Sequence, residues 1–467
     1  MRKAVILAAL AAACLFTACR PVKPRPPAYA FPVEPSPAGA ENARVYEGSL
    51  TIPTVKFEDV SYTPSPFPLD RVGRGYPYKR ADIHFFRRGG ADDEARTYKT
   101  VVLENEYLKL TMLPGLGGRL FEAIFKPTGK QVFYRAERLG FFDLFQLGKE
   151  WMFATGGLRF EFPTWGHDPN TEEPWDYELH TWPNGTASVA FTRTDLRTGL
   201  RARNHVSLDP GRSWIRLDLE LANPGEYPER GAFWIITGLT GTPGIEFIMP
   251  TEHAIDHGGE RSFRWPVTGD VDWAYFRNWP VSQSFFALNW KSDFSGLYDH
   301  QGEFGVVRCA RPEDVPGLKL WGWPEEGDRF YVSLYGGITQ TMEEHLEFTP
   351  GQVKSWEEVW YPLAGTHGLT AASREVAVSL HTQEGKLLLG VMPTRVHSHA
   401  SVRVSRGDTV LFDRKADLTP KGAMVESVDL AGDAGTLAVR VTAADGRVLL
   451  EKTLPMSEIR PTFQNKE

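Results

Sequence analysis

Cysteine is scarce in this chain, with only three among its 467 residues. Cys14 and Cys19 belong to the N-terminal segment, which leaves Cys309 as the one thiol in the remaining sequence. A single thiol cannot form an internal disulfide and cannot build a zinc or iron–sulfur cluster. Cys309 follows two apolar residues, Val306 and Val307, so core packing is its expected role. We therefore expect the fold to be stabilised by its core alone.

Other features are missing as well, and each absence excludes a class of function. A formal net charge of −7 argues against nucleic acid as a partner. The sequence contains no G-x-S-x-G elbow, no Walker loop and no dinucleotide-binding glycine motif. Beyond the N-terminus, no apolar run approaches the roughly 20 residues of a membrane-spanning helix. The sequence thus predicts no cofactor, no metal and no nucleic-acid partner.

The N-terminus does carry a targeting pattern. The basic stretch Met1–Lys3 precedes an apolar run, Ala4–Phe16, that is too short to cross a bilayer as a mature helix. The residues that follow, Thr17–Cys19, resemble the lipobox of bacterial lipoproteins, which implies cleavage before Cys19 and a lipid on that residue. The alternative is an ordinary secretory signal with an unrelated cysteine. We predict a signal peptide over residues 1–18 and membrane anchoring through Cys19.

A proline-rich segment follows the signal. Seven prolines fall between residues 21 and 37. Proline excludes a helix and favours an extended polyproline-type conformation, so residues 19–44 are expected to form a tether. The predicted location is the cell envelope, at the outer membrane or the periplasmic face, rather than the cytoplasm.

Alternating apolar residues are typical of the long stretch over residues 45–368. One example is Leu108, Leu110 and Met112, which fall on the same face of a strand. Turn signals such as Pro114–Gly115 recur between the alternating runs, and no amphipathic helix exceeds three turns. This pattern predicts an all-β fold in the form of a large sandwich.

Residues 369–467 differ in composition, since no tryptophan follows Trp360. Short alternating runs recur between residues 374 and 456, and Asp445–Gly446 is a hairpin signal between two of them. We predict a separate small β-sandwich with immunoglobulin-like topology, followed by a tail.

The segment Gly156–His167 is the most informative for chemistry. A period of two places Arg159 and Glu161 on one face of a predicted strand, with apolar residues on the other. Trp165 and His167 would lie on the loop that follows. These residue types suit a sugar site, because sugar rings stack on tryptophan while charged groups hold hydroxyls and move protons. A solvated strand face followed by a surface loop is an equally good interpretation of the spacing.

Two further segments combine histidines with acids. In Glu252–His257 the two histidines lie four apart, a spacing that suits a metal only on a helix, so a polar loop is favoured. In Tyr298–His300 an acid adjoins a histidine, and spacing alone favours a turn.

Several segments resemble, in the right order, one bacterial family of unknown function. The matching segments are Leu103–Leu108, Leu113–Arg119, Gly156–Pro163 with His167, Trp279–Pro280, Tyr298–His300, Lys319–Trp321 and Trp360–Pro362. The family is the domain of unknown function numbered five-one-zero-seven, which is similar to the galactose mutarotase superfamily. The resemblance covers roughly residues 45–380.

The resemblance implies a supersandwich fold with a carbohydrate ligand in an open groove. It also implies a histidine as general acid and a glutamate as general base, for which His167 and Glu161 are the candidates. The candidates for substrate binding are Arg119, Arg159, Trp165, His300 and Trp321. One departure is Ser333, because related sequences often carry a glutamate there. Loss of that glutamate would favour binding over catalysis, or the use of a different carboxylate, such as Glu161, as the base.

The sequence leaves more than one function open. The favoured hypothesis is an exported lipoprotein that acts on carbohydrate by acid/base chemistry, as an anomerase, an epimerase or a glycosidase. A glycosidase needs two carboxyl groups about 5–9.5 Å apart, and only one strong candidate is visible. The alternatives are a non-catalytic carbohydrate-binding lipoprotein of a polysaccharide uptake system, and a structural envelope protein with a vestigial groove.

Overall fold

Antiparallel strands form almost all of the regular structure. A computed structural model describes residues 39–63, 76–81, 93–142, 152–153, 156–163, 169–323, 330–430, 432 and 435–464. The predicted signal peptide, Cys19 and most of the predicted tether lie outside these ranges. Within them the helical elements are three 3-10 turns at Pro169–Thr171, Phe276–Asn278 and Met456–Glu458. None of the segments described has the helical length and hydropathy needed to cross a bilayer.

The strands are numbered in chain order. The first ten are β1 (Arg44–Val55), β2 (Phe57–Thr63), β3 (Tyr76–Ala81), β4 (Asp93–Glu104), β5 (Leu108–Leu113), β6 (Arg119–Phe125), β7 (Lys130–Gln131), β8 (Phe141–Phe142), β9 (Met152–Phe153) and β10 (Leu158–Glu161). The next ten are β11 (Asp176–Thr181), β12 (Ala187–Thr194), β13 (Arg201–Leu208), β14 (Ile215–Ala222), β15 (Glu229–Gly231), β16 (Trp234–Thr237), β17 (Leu239–Gly241), β18 (Ile245–Ile248), β19 (His253–Asp256) and β20 (Ser262–Arg264). Nine more complete the first domain: β21 (Val267–Thr268), β22 (Val271–Asp272), β23 (Gln283–Leu288), β24 (Phe294–Asp299), β25 (Phe304–Cys309), β26 (Gly317–Trp323), β27 (Phe330–Gly337), β28 (Leu346–Phe348) and β29 (Val353–Ala364). The second domain contains β30 (Ala371–Ala372), β31 (Val376–Gln383), β32 (Lys386–Pro393), β33 (His397–Arg406), β34 (Thr409–Leu418), β35 (Met424–Asp429), β36 (Thr436–Thr442) and β37 (Val448–Pro455).

Two large sheets make up the first domain. One has 13 strands, in the order β1-β4-β5-β6-β10-β16-β27-β26-β23-β19-β20 with β7 and β17 paired beside it. The other has eight strands, in the order β11-β12-β13-β14-β29-β25-β24-β18. Their apolar faces share one core, in which Phe233 contacts Trp356 with ring centroids 5.0 Å apart. The predicted all-β supersandwich is confirmed.

Alternation of residue type along the strands produces this core. Leu108, Leu110 and Met112 of β5 are completely buried, as their spacing predicts, and Cys309 lies in the same core. A side chain that alternates with core residues on a strand of the 13-stranded sheet must point to the opposite side. We call that side, turned away from the shared core, the outer face.

One charged pair lies inside the core. Arg308 of β25 and Glu358 of β29 have no solvent exposure, and their Nε–Oε2 distance is 2.7 Å. A second hydrogen bond runs from Arg308 Nη2 to Glu358 Oε1 at 3.0 Å, and Trp360 Nε1 donates to Oε2 at 3.2 Å. The guanidinium lies against Gly336 of the opposite sheet, where a Cβ atom would overlap it. The pair therefore joins the two sheets at a point where only glycine fits.

The second domain is a small sandwich of two four-stranded sheets. Their orders are β30-β31-β32-β35 and β34-β33-β36-β37. With β31 to β37 taken as successive strands, the first, second and fifth share one sheet and the other four share the second sheet. The predicted small sandwich is confirmed, and it differs from constant-type immunoglobulin domains in the sheet that holds the fourth strand. The expected hairpin at Asp445–Gly446 joins β36 to β37, with Gly446 at φ 86°. The last strand of the large sheets ends at Ala364, and the first strand of this domain begins at Ala371.

Replacement of Arg308 by methionine should strongly destabilise the protein. The change Arg308→Met leaves Glu358 as an uncompensated buried charge, which costs about 3–5 kcal/mol in the free energy of unfolding. The double change Arg308→Met/Glu358→Leu removes both charges and should recover most of that loss. Urea denaturation of the three proteins measures the effect. Equal destabilisation in the single and double variants would contradict the role of the pair.

Candidate functional site

Strand β10 carries the first two residues of the site. Arg159 and Glu161 alternate with Leu158 and Phe160, which lie in the core, so both charged side chains point to the outer face. Arg159 Nε and Glu161 Oε1 are 2.9 Å apart, and the residues are 5% and 0% exposed. Burial is the largest single influence and would lower the pKa of Arg159, but Glu161, Tyr331, Tyr335 and Glu172 together outweigh it and the pKa is raised. The predicted shared face is confirmed, and this face of the strand is not solvated.

The register of the sheet extends this site across five strands. Arg159 lies opposite Ile236 of β16, which lies opposite Tyr335 of β27. Tyr335 lies opposite Lys319 of β26, which in turn lies opposite Phe286 of β23. Residues directly opposite one another in an antiparallel pair point to the same side. The five side chains thus form one row over the outer face.

Lys319 is the most unusual member of this row. It is 3% exposed, and its Nζ donates a hydrogen bond to Met342 Sδ at 3.2 Å. The ammonium also lies over the rings of Tyr335 and Phe286, at 4.9 and 5.0 Å from their centroids. Burial lowers the pKa of Lys319 to about 7, although the charges of Glu161 and Glu343 oppose this shift. Such a lysine changes its protonation state near neutral pH.

A neighbouring row places an indole and two glycines to one side of Glu161. Glu161 lies opposite Trp234, which lies opposite Gly337, and Gly337 lies opposite Gly317. The indole of Trp234 occupies the space above both glycines, where a Cβ atom would overlap it. Trp234 Nε1 donates to the Thr339 hydroxyl at 3.2 Å, which fixes the ring. Glu161 therefore lies beside a completely buried indole, in surroundings that strengthen its electrostatic interactions.

Arg119 is held beside Arg159 by a glycine-rich turn. The turn between β5 and β6 includes Gly117, whose φ is 73° and whose Cα approaches Thr171 so closely that a Cβ would overlap its carbonyl. Arg119 itself is 1% exposed, and its Nη2 lies 3.4 Å from that same carbonyl oxygen, to which it donates. Burial, and then the charge of Arg159, lower the pKa of Arg119 to about 10. This turn places Arg119 close enough to Arg159 for the two charges to interact.

Trp321 and Ser333 also belong to the outer face. Trp321 follows Lys319 by two residues on β26, is half-buried, and meets the ring of Tyr331 edge-on with centroids 5.7 Å apart. Ser333 lies opposite Trp321 and is completely buried. The structure thus brings together Arg119, Arg159, Glu161 and Trp321 of the predicted site residues.

His257 adds a histidine at the edge of this site. Its ring is stacked over Phe286 with centroids 6.4 Å apart, and its Nδ1 is 2.9 Å from the Ser284 hydroxyl. Burial, and then the charge of Lys319, lower the pKa of His257 to about 4. The segment before it is strand β19 and not the predicted polar loop. In the ranges described, no group of three or more His, Cys, Asp or Glu is arranged to hold a metal ion.

His300 lies apart from the outer face. It follows β24 of the eight-stranded sheet, and its Nε2 is 2.9 Å from Glu246 Oε2. Its ring is stacked on Phe463 with centroids 4.9 Å apart and planes 4° from parallel. Arg460 pairs with the same glutamate at 3.1 Å, so residues near the C-terminus complete this cluster. The structure therefore does not place His300 with the other predicted ligand-binding residues.

Two of the predicted residues, Trp165 and His167, lie outside the described residues. Two others, Lys319 and His257, are part of the geometry but were not predicted as site residues. Lys319 is flanked in sequence by core residues, and its alternation with Leu318 and Leu320 was the available signal. The signal for His257 was the acid–histidine segment itself, for which a polar loop is the favoured interpretation from sequence.

Comparison with known proteins supports the fold and gives the family. Over 72% of the chain, it is similar to the structure of a TPR-domain containing protein from Parabacteroides distasonis, at 20% identity and a TM-score of 0.60. This chain covers 58% of that one, less than two thirds of its length. A galactose mutarotase-like protein from Clostridium acetobutylicum matches 57% of this chain and 96% of its own at 11% identity, with a TM-score of 0.44. A galactose mutarotase-like protein from Lactobacillus casei matches 56% of this chain and 99% of its own at 10% identity, with a TM-score of 0.40.

The two large sheets, the buried charged row on the outer face and the appended sandwich define a two-domain, all-β supersandwich protein. The chain belongs to the family described as Domain of unknown function (DUF5107), which it matches over residues 72–363, more than half of its length. Residues 371–451 match the second domain of a YphG-like protein. The family that the sequence motifs predict is therefore confirmed.

The buried lysine should make stability depend on pH. Because burial lowers the pKa of Lys319 to about 7 in the folded chain, the unfolded chain binds one more proton between about pH 7 and 10. The free energy of unfolding should therefore rise with pH in this window, by up to roughly 1.4 kcal/mol per unit from this group.

This contribution can be isolated by comparison with Lys319→Met, which should lose that part of the pH slope. Urea denaturation at several pH values between about 7.5 and 9.5 measures the slope. Lys415→Met, at an exposed position of the second domain, is the matched control and should keep the slope of the parent. Identical slopes in the parent and Lys319→Met would show that the lysine is not held in a low-pKa environment.

Proposed function

We propose that this protein binds a carbohydrate on the outer face of its 13-stranded sheet and interconverts its anomers by acid/base chemistry. The observation that carries the proposal is the buried Arg159–Glu161 pair, 2.9 Å apart, on the same face as the half-buried Trp321. A carboxylate fixed by a guanidinium can accept a proton from a ligand hydroxyl at a defined position. An aromatic ring can hold the apolar side of a sugar ring.

The chemistry requires a base and an acid at opposite sides of the anomeric carbon. Glu161 accepts the proton of the anomeric hydroxyl while the acid donates a proton to the ring oxygen. The bond between the anomeric carbon and the ring oxygen breaks and an open-chain aldehyde forms. Rotation about the adjacent carbon–carbon bond and reversal of the steps give the other anomer. His167 remains our candidate for the acid on the family resemblance.

Glycosidase chemistry has less support. It requires two carboxyl groups about 5–9.5 Å apart across the scissile bond. Glu161 is the one buried acid on the described strands of the 13-stranded sheet. The outer face as described therefore favours a single-base reaction over glycoside hydrolysis.

A non-catalytic sugar-binding protein is the second candidate. Ser333 is completely buried on the outer face, at the position where related sequences often carry a glutamate. If that glutamate is the base in the relatives, this chain would bind the same sugar without turning it over. The two candidates share a site and differ in whether Glu161 replaces the missing base.

Anomer exchange gives the direct test of the proposed activity. The purified full-length chain should accelerate exchange between the anomeric proton signals of a reducing sugar in proton NMR. Glu161→Gln should lose at least about 100-fold of that acceleration, because it removes the base. His167→Ala should lose a similar factor.

The matched control is Glu451→Gln, the same chemical change at an exposed site in the second domain, and it should retain full activity. Saturation transfer to the sugar without faster exchange would support the binding protein instead. No transfer to any sugar of a broad panel would contradict both candidates.

We further propose that the chain is held at the cell envelope by a lipid on Cys19. Cys19→Ala should move the protein from the membrane fraction to the soluble fraction. Cys14→Ala removes a cysteine from the same segment but leaves the lipobox-like residues intact, so it should stay with the membrane. Fractionation with radiolabelled palmitate measures both. A membrane-bound, unlabelled parent protein would contradict the lipid anchor.

A further inference from the structure

Lys319 is buried and has no ionic partner within the part of the chain that the structure describes. Its contacts are the thioether of Met342 and the faces of Tyr335 and Phe286, and it forms no ion pair with any described carboxylate. Buried charges in proteins are normally paired, because desolvation costs several kcal/mol per ion. A thioether is a weak acceptor, and aromatic rings return only part of that cost. The site would therefore gain from an anion brought by a ligand.

The charges around the row point the same way. Among the described residues, four buried side chains of charged type lie on the strands of this sheet, namely three cations (Arg119, Arg159 and Lys319) and one anion (Glu161). Glu161 is engaged by Arg159 at 2.9 Å. Among the described residues buried on this sheet, cations thus outnumber anions three to one, and the acids Glu172 and Glu343 act on Arg119 and Lys319 from outside the strands. Electrostatic complementarity favours a negatively charged ligand there.

The separation of Lys319 and Glu161 suits the two ends of a single sugar. Strands β10 and β26 have two strands between them, so their backbones lie roughly 14 Å apart at the usual strand spacing. Both side chains extend over the outer face, and the carboxylate of Glu161 is near enough to influence the pKa of Lys319. A hexose between them would present its anomeric carbon to one and its sixth carbon to the other.

We propose that the sugar bound by this site carries a single negative charge, as in the carboxylate of a uronic acid, and that Lys319 binds that group. A lone ammonium matches a monoanion, whereas phosphate dianions are commonly held by several donors or by a bidentate arginine. A carboxylate and a sulfate ester share this chemistry. The inference rests on the proposed function, since it assumes that the sugar lies on the outer face.

The test compares each acid with its own neutral ester on the full-length chain. Calorimetry with glucuronate and galacturonate should give dissociation constants at least about tenfold lower than with their methyl esters. In Lys319→Met the ratio should fall to about one, whereas Lys319→Arg should keep a preference for the acid. Lys415→Met should behave as the parent. An unchanged ratio in Lys319→Met, or no preference in the parent, would overturn the proposal.

Proton uptake supplies a readout that a purely structural lysine would not give. At pH 8 the side chain is largely neutral, since its pKa is about 7, and a bound carboxylate should raise that pKa and draw in a proton. The heat of binding should then depend on the ionisation enthalpy of the buffer for the acids but not for the esters. The other titratable groups near Lys319 among the described residues are Tyr335, His257, Glu161 and Glu343. His257, with a pKa of about 4, stays neutral at this pH.

The remaining outcomes separate this inference from the function on which it depends. Binding of the methyl esters and neutral hexoses as tightly as the acids would remove the inference and leave the carbohydrate site standing. Binding of none of them would remove both. Equal preference for a hexose 6-sulfate would support recognition of any monoanion, and preference for hexose 6-phosphate alone would contradict it.

Discussion

The buried ion pair of Arg308 and Glu358 is the interaction on which the geometry of the outer face depends. Desolvation makes two charges in a core costly, and here the cost is offset by two hydrogen bonds between Arg308 and Glu358 and a third from Trp360 to Glu358, while Arg308 Nη1 has no hydrogen-bond partner among the described residues. The guanidinium fits because Gly336 has no side chain. Gly336 is flanked on β27 by Tyr335 and Gly337, which both belong to the outer-face rows. Strand β27 therefore takes part both in the packing of the two sheets and in the rows of the outer face.

Much of this arrangement is predictable from the sequence because strand periodicity is local. Arg159 and Glu161 alternate with core residues, so their common face follows from four consecutive positions. The glycine-rich turn before Arg119 is equally local, since it needs only residues that tolerate positive φ. The small sandwich of the second domain was predicted from alternation and a hairpin signal. In each case the physical cause and the sequence signal occupy the same short segment.

The unpredicted parts depend on partners that are distant in sequence. Lys319 has its unusual environment because Phe286 and Tyr335 come from different strands, and only the sheet register brings them together. His300 was predicted to lie in the site but does not, because Glu246, Arg460 and Phe463, which are distant in sequence, hold it elsewhere. Adjacent acid and histidine residues look alike in sequence whether they face a ligand or a second domain. No spacing rule distinguishes the two.

The indole of Trp234 above Gly317 and Gly337 has a consequence for how this sequence can diverge. The three positions lie on three strands, but their packing is coupled, because the indole ring occupies space that side chains at the two glycines would need. A larger residue at either glycine would push the ring towards Glu161. Gly337 should therefore be replaced only where the tryptophan has become smaller, whereas a side chain at Gly317 would also overlap the backbone carbonyl of Thr339. Covariation of Trp234 with these glycines among relatives would then indicate selection to keep the surroundings of Glu161, although none of the three residues takes part in its chemistry.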